Sequence, residues 1–141
     1  MLGLEIVCSV ISGVIVFCFS QCIMEFIMKP RAAYKNLKNK IDAACIYYAD
    51  VITNPFMVNQ EEAKEAFDWF QNSKYNEASN ELSRLASEAS IYTPKYKEAK
   101  ETGKLLMFLS HNMWRYDNSP RDGSENYEKL ERLKQIVRGK K

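Results

Sequence analysis

Nineteen consecutive residues without a charge, from Ile6 to Met24, constrain this chain more than any other feature. At ~1.5 Å per residue, a helix of this length spans about 28 Å, close to the ~30 Å hydrocarbon thickness of a bilayer. Glu5 and Glu25 bracket the run. A core helix of a soluble protein rarely runs this far without a charge. The run therefore predicts a transmembrane helix over residues 1–29.

A cleaved secretory signal is the main alternative for such an N-terminal segment. It would have lysine or arginine before the apolar run and a small-x-small cleavage site after it. No basic residue precedes Lys29, and residues 22–26 offer no such site. The residues before Cys22 are also a poor match to a lipoprotein cleavage box. We therefore expect the helix to be retained as a signal anchor.

Basic residues cluster on the C-terminal side of the predicted span. They are Lys29, Arg31, Lys35, Lys38 and Lys40. No acidic residue lies among residues 29–40, so the positive-inside rule predicts a cytoplasmic C-terminal domain and an N-terminus outside. The five residues are also candidate contacts to lipid headgroups, each adding about 1 kcal/mol near an anionic leaflet. The alternative is that they set the topology and bind no particular lipid.

Small residues share one face of the predicted span. Ser9 and Gly13 form a small-xxx-small pair, and Ser12 lies beside them. Such faces let transmembrane helices approach closely, so Ser9, Ser12 and Gly13 are candidate helix-packing residues. A homo-oligomer formed through this face is one hypothesis. The alternative is that small residues are common in membrane helices without pairing them.

The cysteines predict no structural or metal site. Cys8, Cys18 and Cys22 lie within the predicted span, and Cys45 follows it. None belongs to a CxxC or Cys-His pattern, so neither a disulfide framework nor a zinc site is indicated. We interpret them as small apolar side chains. S-acylation of Cys18 and Cys22 in a eukaryotic host is the alternative.

Apolar residues recur at helical spacings of three and four through the rest of the chain. One stripe runs from Tyr34 to Val51, and Asn54-Pro55 stops it. Asn59 is a predicted N-cap for residues 60–92, which form either one helix or two with a break near Asn72. The stripes are Tyr34, Leu37, Ile41, Ala44, Tyr48 and Val51, then Ala63, Ala66, Phe67 and Phe70 (with Trp69 beside them), then Tyr75, Ala78, Leu82, Leu85, Ala89 and Tyr92.

Two further helices are predicted. Thr93 and Pro94 suit the N-cap and first position of one, and Asp122 with Glu125 resembles a capping pair for the last. Residues 118–124 between them are the most loop-like stretch. The stripes are Ala99, Leu106, Leu109 and Met113, then Tyr127, Leu130, Leu133 and Val137. No strand-like alternation persists. We predict an all-α chain: a transmembrane helix and, over residues 30–141, a four- to five-helix cytosolic bundle.

The sequence offers no catalytic, cofactor-binding or metal-binding residue. The single histidine, His111, has no companion at ligand spacing, and we expect it to be partly buried with its hydrogen bonds made. The carboxylate pairs Glu61/Glu65 and Glu77/Glu81 indicate a solvated face. No phosphate-binding glycine loop or nucleophile elbow occurs. A near-neutral net charge and lysines without interleaved aromatics disfavour nucleic acid as a partner, and no small-molecule substrate is evident.

Charge is unevenly distributed after the predicted span. Residues 41–93 hold three basic and nine acidic groups, whereas residues 94–141 hold twelve basic and seven acidic groups. The two parts can complement each other within one fold. Alternatively, the basic end is a surface for an acidic partner.

Three short segments carry a resemblance. Residues 48–55 (YADVITNP), 81–87 (ELSRLAS) and 109–112 (LSHN) resemble those of uncharacterised small bacterial proteins with one N-terminal membrane helix and a helical cytosolic domain. The resemblance covers the layout of residues 1–115. It implies a bacterial inner-membrane location and an anchored helical domain, and it supplies no catalytic residue.

We hypothesise a non-enzymatic, membrane-anchored interaction or scaffold module that binds a protein partner or itself at the cytoplasmic face. The alternative is a small membrane-disrupting effector, such as a defence or toxin component, that oligomerises through Ser9 and Gly13. An enzyme that uses the glutamate-rich face with a metal is a remote third hypothesis.

Overall fold

The structure, a computed structural model, describes residues 1–58, 60–116 and 123–139. The expected all-α class is confirmed. By their contacts the residues divide into two compact units, 1–36 and 37–141. The elements in chain order are α1 (Leu2–Ile23), a π-helical segment (Met24–Met28), α2 (Lys29–Tyr47), α3 (Ala49–Thr53), β1 (Phe56–Val58), a 3₁₀ turn (Gln60–Glu62), α4 (Ala63–Gln71), α5 (Lys74–Ile91), α6 (Lys97–His111), β2 (Trp114–Tyr116) and α7 (Gly123–Val137).

The N-terminal helix continues without a break from α1 into α2. Over the described residues it is the one helix that is long and apolar enough to cross a membrane, judged by length and composition. None of the residues of α1 is buried. A helix that packs on a protein core carries a single apolar stripe, whereas α1 is apolar on all sides. The expected long apolar helix is present, and its insertion into a membrane stays a prediction.

Pro30 does not end this helix. A proline lacks the N–H that would donate to the carbonyl of Phe26, so it weakens the helix at that point. The chain forms a π-helical turn over Met24–Met28 just before the proline, and the Lys29 N–H donates to the Met24 carbonyl. A π turn accommodates one extra residue and is a common irregularity within α-helices. The helix therefore continues through Pro30 into α2.

Helices α5 and α6 form an antiparallel hairpin. Ser79 Oγ donates to the Ser110 carbonyl over 2.9 Å, and Ser110 Oγ donates to the Ser79 carbonyl over 2.8 Å. Farther along α5, Ala86 lies against Gly103, which comes earlier in α6. Small side chains at these positions let the two backbones approach. The apolar residues buried along the hairpin are Ala78, Leu82, Leu85, Ala86, Ala89, Ala99, Leu105, Leu106 and Leu109.

Helix α7 packs on α6 and α3. Asn126 is fully buried, and its Nδ2 donates to the carbonyls of Ile52 (2.9 Å) and Asn112 (3.4 Å). It thereby links three segments of the chain through backbone carbonyl groups, and its own buried amide is hydrogen-bonded. The apolar stripe predicted here is correct for Leu130, Leu133 and Val137, which are buried, but it is wrong for Tyr127, which is 56% exposed.

A short parallel β-pair corrects the expectation of a strand-free domain. β1 and β2 pair in the register Phe56↔Trp114, Met57↔Arg115 and Val58↔Tyr116. The Phe56 N–H also donates to the Met113 carbonyl over 2.8 Å. Three residues are too few to show a period-two pattern, so the pairing has no signal in the local sequence.

Several predicted boundaries can be compared with the structure. The break near Asn72 is confirmed, because α4 ends at Gln71 and α5 begins at Lys74. The assignment of Thr93 and Pro94 to the start of α6 is wrong. Residues 92–95 form a turn that closes with a bond from the Tyr96 N–H to the Tyr92 carbonyl (2.9 Å), and α6 begins at Lys97. Asn59 and most of the 118–124 loop, with Asp122, lie outside the described residues.

Among the described residues, an ion pair joins the acidic middle of the chain to its basic end. Arg138 Nε lies 2.8 Å from Asp42 Oδ1. Beside this pair, Cys45 is fully buried, as expected of a small apolar side chain. Burial, with the nearby Asp42 carboxylate, raises the pKa of the Cys45 thiol to about 12.

We expect Gly123→Ala to destabilise the bundle by about 1–3 kcal/mol. A Cβ at this position would overlap the carbonyl oxygen of Thr53, which is a backbone atom that cannot rotate away. Thermal unfolding of the full-length protein in detergent micelles, followed by circular dichroism, measures the change. Gly103→Ala is the matched control, because its Cβ would lie 3.7 Å from the Ala86 carbonyl in ordinary contact. Equal stability of the two variants would contradict the close approach at Gly123.

We expect the ionisation of Cys45 to lower the stability of the fold at alkaline pH. The folded-state pKa of about 12 lies above the 9.0 of a free thiol. The stability that depends on the neutral, buried thiol is therefore fully present below pH 9 and is lost as the pH rises towards 12. Between pH 8 and pH 11 the loss is on the order of 2 kcal/mol. We expect Cys45→Ala to flatten this pH dependence, with Cys22→Ala as the control. Identical pH profiles for the wild type and Cys45→Ala would contradict the prediction.

Candidate functional site

Six aromatic side chains form a cluster at the surface of the bundle, here called the aromatic cluster. None of them is buried in the core. They come from β1, α4, α5 and β2. The members are Phe56, Phe67, Trp69, Phe70, Tyr75 and Trp114.

Phe56 lies at the centre of the aromatic cluster. Its ring stacks on Trp69 with centroids 4.7 Å apart and an interplanar angle of 23°. The Trp114 ring lies 5.5 Å from it, and the Tyr75 ring 5.6 Å. Aromatic pairs at these distances contribute roughly 0.5–1.5 kcal/mol beyond the area they bury. The cluster is thus a packed unit whose geometry depends on Phe56.

The β-pair places Trp114 within the cluster. The register pairs Trp114 with Phe56 across the two strands. Trp114 then meets the rings of α4: Phe70 edge-on at 5.1 Å and 89°, and Phe67 at 6.1 Å and 73°. Edge-to-face contacts of this kind are favoured by the ring quadrupoles. Strand pairing therefore joins α4 to the end of α6.

An open groove runs along α4. It has a volume of about 510 Å³ and is lined by Ala63, Lys64, Phe67, Phe70 and Trp114. Four of the five lining residues are apolar, and Lys64 is the charged one. The volume lies within the range of ~300–1,000 Å³ that is typical of ligand sites. The groove is open to solvent along its length, so it suits a side chain that projects from another molecule.

Helix α4 leaves its apolar face uncovered. Phe67 is 50% exposed and Trp69 is 54% exposed, and no residue of α4 is buried. Helix α5, which is less amphipathic than α4, buries five residues. Contiguous exposed aromatic surface of this kind is uncommon on monomeric proteins and marks interaction sites.

Helix α4 and the turn before it also carry three carboxylates outside the groove lining; we call Glu62, Glu65 and Asp68 the acidic rim. All three are exposed, and none makes an ion pair within the part of the chain that the structure describes. Glu65 lies one helical turn before Trp69, and Asp68 lies one turn after Lys64. The carboxylate of Glu65 therefore makes the potential beside Trp69 negative, with Lys64 the one opposing charge on α4.

The candidate residues of the predicted span are all exposed. Ser9 Oγ donates to the Glu5 carbonyl within the same helix over 2.9 Å. A Cβ added at Gly13 would meet no atom within 4 Å. Ser12 is exposed beside them. The face is thus open over Ser9, Ser12 and Gly13, and pairing through it stays a prediction.

The basic residues after the span differ in their surroundings. Lys29 pairs with Glu25 one turn earlier, and Lys38 Nζ lies 3.8 Å from Glu98 Oε1. Arg31, Lys35 and Lys40 are exposed to solvent. Lys38 is thus engaged within the bundle, whereas contact of any of the five with lipid headgroups stays a prediction.

The structure assembles no metal site among its described residues, where no group of three or more His, Cys, Asp or Glu side chains could hold an ion. His111 is exposed, so the expectation that it is partly buried is wrong. Of the carboxylate pairs, Glu81 binds Arg84, which lowers the pKa of that carboxyl. Glu77 accepts a 2.7 Å hydrogen bond from the Tyr48 hydroxyl, and burial together with this bond raises the pKa of Tyr48.

Comparisons with protein families, curated proteins and solved structures find no match for this chain. The residues themselves therefore carry the functional argument.

The aromatic cluster was not predicted as a site. The sequence places Phe67, Phe70 and Tyr75 on apolar stripes, and such stripes normally form a core. One signal was available: Phe67, Trp69 and Phe70 lie within four residues of an otherwise acidic segment. Residues 60–71 hold four acidic groups and one basic group, a charge density that favours exposure of the helix.

We expect cations to quench the tryptophan fluorescence of this protein more strongly than anions. Its two tryptophans, Trp69 and Trp114, both belong to the aromatic cluster, and the acidic rim concentrates cations beside Trp69. Caesium and iodide quenching of the full-length protein in a neutral detergent measures the difference. The double variant Glu65→Gln/Asp68→Asn should reduce the caesium effect, whereas Glu128→Gln on α7 should not. Stronger quenching by iodide would contradict the negative potential.

Proposed function

We propose that this protein is a membrane-anchored interaction module. In this proposal, residues 1–29 cross the bilayer with the N-terminus outside, and the bundle lies at the cytoplasmic face. There it binds a protein partner through the aromatic cluster. The protein performs no chemistry in this role, and it acts by holding its partner at the membrane.

The exposure of α1 is the main observation that supports a membrane anchor. Its apolar side chains face outward on every side; Val16 is 65% exposed and Phe17 is 62% exposed. A surface of this kind is costly in water, at roughly 25 cal/mol per Å² of apolar area. A bilayer removes that cost over the length of the helix. The bundle needs no contribution from α1 to its core, since the core side chains come from α2 onwards.

The charges after the span support the direction of insertion. Five basic residues follow it within residues 29–40, and no acidic residue lies among them. By the positive-inside rule this side stays in the cytoplasm. The effector hypothesis rests on Ser9, Ser12 and Gly13 alone, so we keep it as an outcome of the test.

The test is extraction and topology of the full-length protein expressed in bacteria. We expect it to stay in the membrane pellet after carbonate treatment. A C-terminal fluorescent protein should be bright, and a C-terminal alkaline phosphatase should be inactive, because both would lie in the cytoplasm. Val14→Lys/Phe17→Lys should release the protein, since each central lysine costs about 2.5–3.5 kcal/mol. Met28→Lys, at the predicted interface, is the control.

Two results would contradict this proposal. Release of the wild-type protein by carbonate would show that residues 1–29 do not anchor it in the membrane. Collapse of the membrane potential and growth arrest on expression, abolished by Gly13→Leu, would favour the membrane-disrupting effector instead.

A further inference from the structure

We propose that the turn between α5 and α6 makes a second contact with the membrane, separate from the predicted span. We call residues 91–97 the hairpin tip. Its one large exposed apolar side chain enters the interface of the bilayer, and two lysines meet anionic headgroups of the cytoplasmic leaflet. The inference rests on the membrane anchor of the proposed function, and it adds a surface that orients the bundle on the lipid.

The hairpin tip exposes apolar and basic side chains next to one another. Ile91, the last residue of α5, is 73% exposed, so it contributes little to the core of the bundle. Pro94, Lys95 and Lys97 follow it and are exposed as well. Surfaces that lie in a membrane interface combine side chains of these two kinds, because the apolar groups enter the bilayer while the lysines stay among the headgroups.

Two tyrosines give the hairpin tip a fixed shape. The Tyr96 N–H donates to the Tyr92 carbonyl over 2.9 Å and closes the turn. The two tyrosine rings lie 6.4 Å apart, and Lys95 Nζ lies 6.0 Å from the centroid of the Tyr96 ring. Tyrosine is enriched at membrane interfaces, where its ring lies at the level of the headgroups. The tip is thus formed before it meets the lipid, which lowers the entropy lost on contact.

The charge of the hairpin tip suits an anionic surface. Residues 91–97 contain no carboxylate. The nearest acidic residues in the chain, Glu88 and Glu98, each make an ion pair within the bundle. Lys95 and Lys97 make no ion pair with any residue that the structure describes. Their positive charge therefore stays available to the anionic lipids of the cytoplasmic leaflet.

The hairpin tip lies at the end of the bundle where the chain enters it. Leu37 is the first residue of the bundle, and its neighbour Lys38 pairs with Glu98 in the first turn of α6. Residues 29–36 connect the predicted span to Leu37, and even fully extended they reach no more than about 30 Å. A tether this short holds the bundle close to the bilayer, so weak contacts become effective. An acidic protein surface has the same charge complementarity but no such tether.

The experiment places a fluorophore on the full-length protein in nanodiscs. The three cysteines of the predicted span are replaced by alanine, and Cys45 is kept because it is buried. Pro94→Cys carries the label at the hairpin tip, and Gln71→Cys carries it on α4, which packs at the opposite end of the hairpin. The nanodiscs contain phosphatidylcholine alone or equal parts of phosphatidylcholine and phosphatidylglycerol, each with spin-labelled lipid as the quencher.

We expect the lipid quencher to reach the label at Pro94→Cys and not the label at Gln71→Cys. Quenching at the tip should be stronger in the anionic nanodiscs, and added salt should reduce this difference because it screens the lysines.

Variants of the hairpin tip separate its two contributions. Lys95→Gln/Lys97→Gln should weaken the contact with anionic nanodiscs about fivefold per lysine. Ile91→Ser should weaken the contact about tenfold in nanodiscs of either composition. Lys64→Gln/Lys129→Gln is the matched control, because it removes the same charge from α4 and α7. Circular dichroism of each variant shows that a loss of contact is not a loss of fold.

Several results would overturn the second contact. They are equal quenching of the two labels, quenching that is the same in both kinds of nanodisc, and a tip that stays unquenched in a bilayer free of other proteins. The last result would leave an acidic protein surface as the occupant. A carbonate-extractable protein whose tip is still quenched by anionic lipid overturns only the anchor. A carbonate-resistant protein whose tip is not quenched overturns only the second contact.

Discussion

The antiparallel contact between α5 and α6 is the interaction on which the rest of the bundle depends. It brings the two helices together through small residues, and the reciprocal hydrogen bonds of Ser79 and Ser110 set their register. The other helices then pack on the outside of this hairpin. Helices α3 and α4 contact α5, and α7 contacts α6. Changing the register by one residue would rotate the buried alanine and leucine positions of both helices away from each other.

The open end of that hairpin is where the aromatic cluster forms. Tyr75 lies in the first turn of α5, and Trp114 follows α6 by three residues, so an antiparallel arrangement brings them to the same end. Phe56 reaches this end because its N–H donates to the carbonyl of Met113. Helix α4 then covers the end with Phe67, Trp69 and Phe70 but buries no residue of its own. The groove thus forms because α4 covers this end of the core only in part.

Most helices could be predicted because their signals are local. Asn54-Pro55 ends a helix through the steric restriction that proline imposes on the preceding residue, and the break near Asn72 follows the interruption of an apolar stripe. Predictions failed where a distant contact decided the outcome. The β-pair joins residues 58 positions apart (Phe56↔Trp114), and Asn126 is buried because the backbone carbonyls of Ile52 and Asn112 happen to lie within its reach. Neither contact leaves a periodic trace in the sequence.

The sequence by itself determined the long apolar N-terminal helix, its flanking charges and the all-α class, because a charge-free run and helical spacing act over adjacent turns. Only the tertiary structure decided which aromatic residues stay outside the core. Phe67 and Leu82 sit on equally regular apolar stripes, yet Leu82 is fully buried and Phe67 is half-exposed. The difference lies in whether another element is left to cover the stripe, and that depends on how the whole chain packs. No window of sequence around Phe67 contains that information.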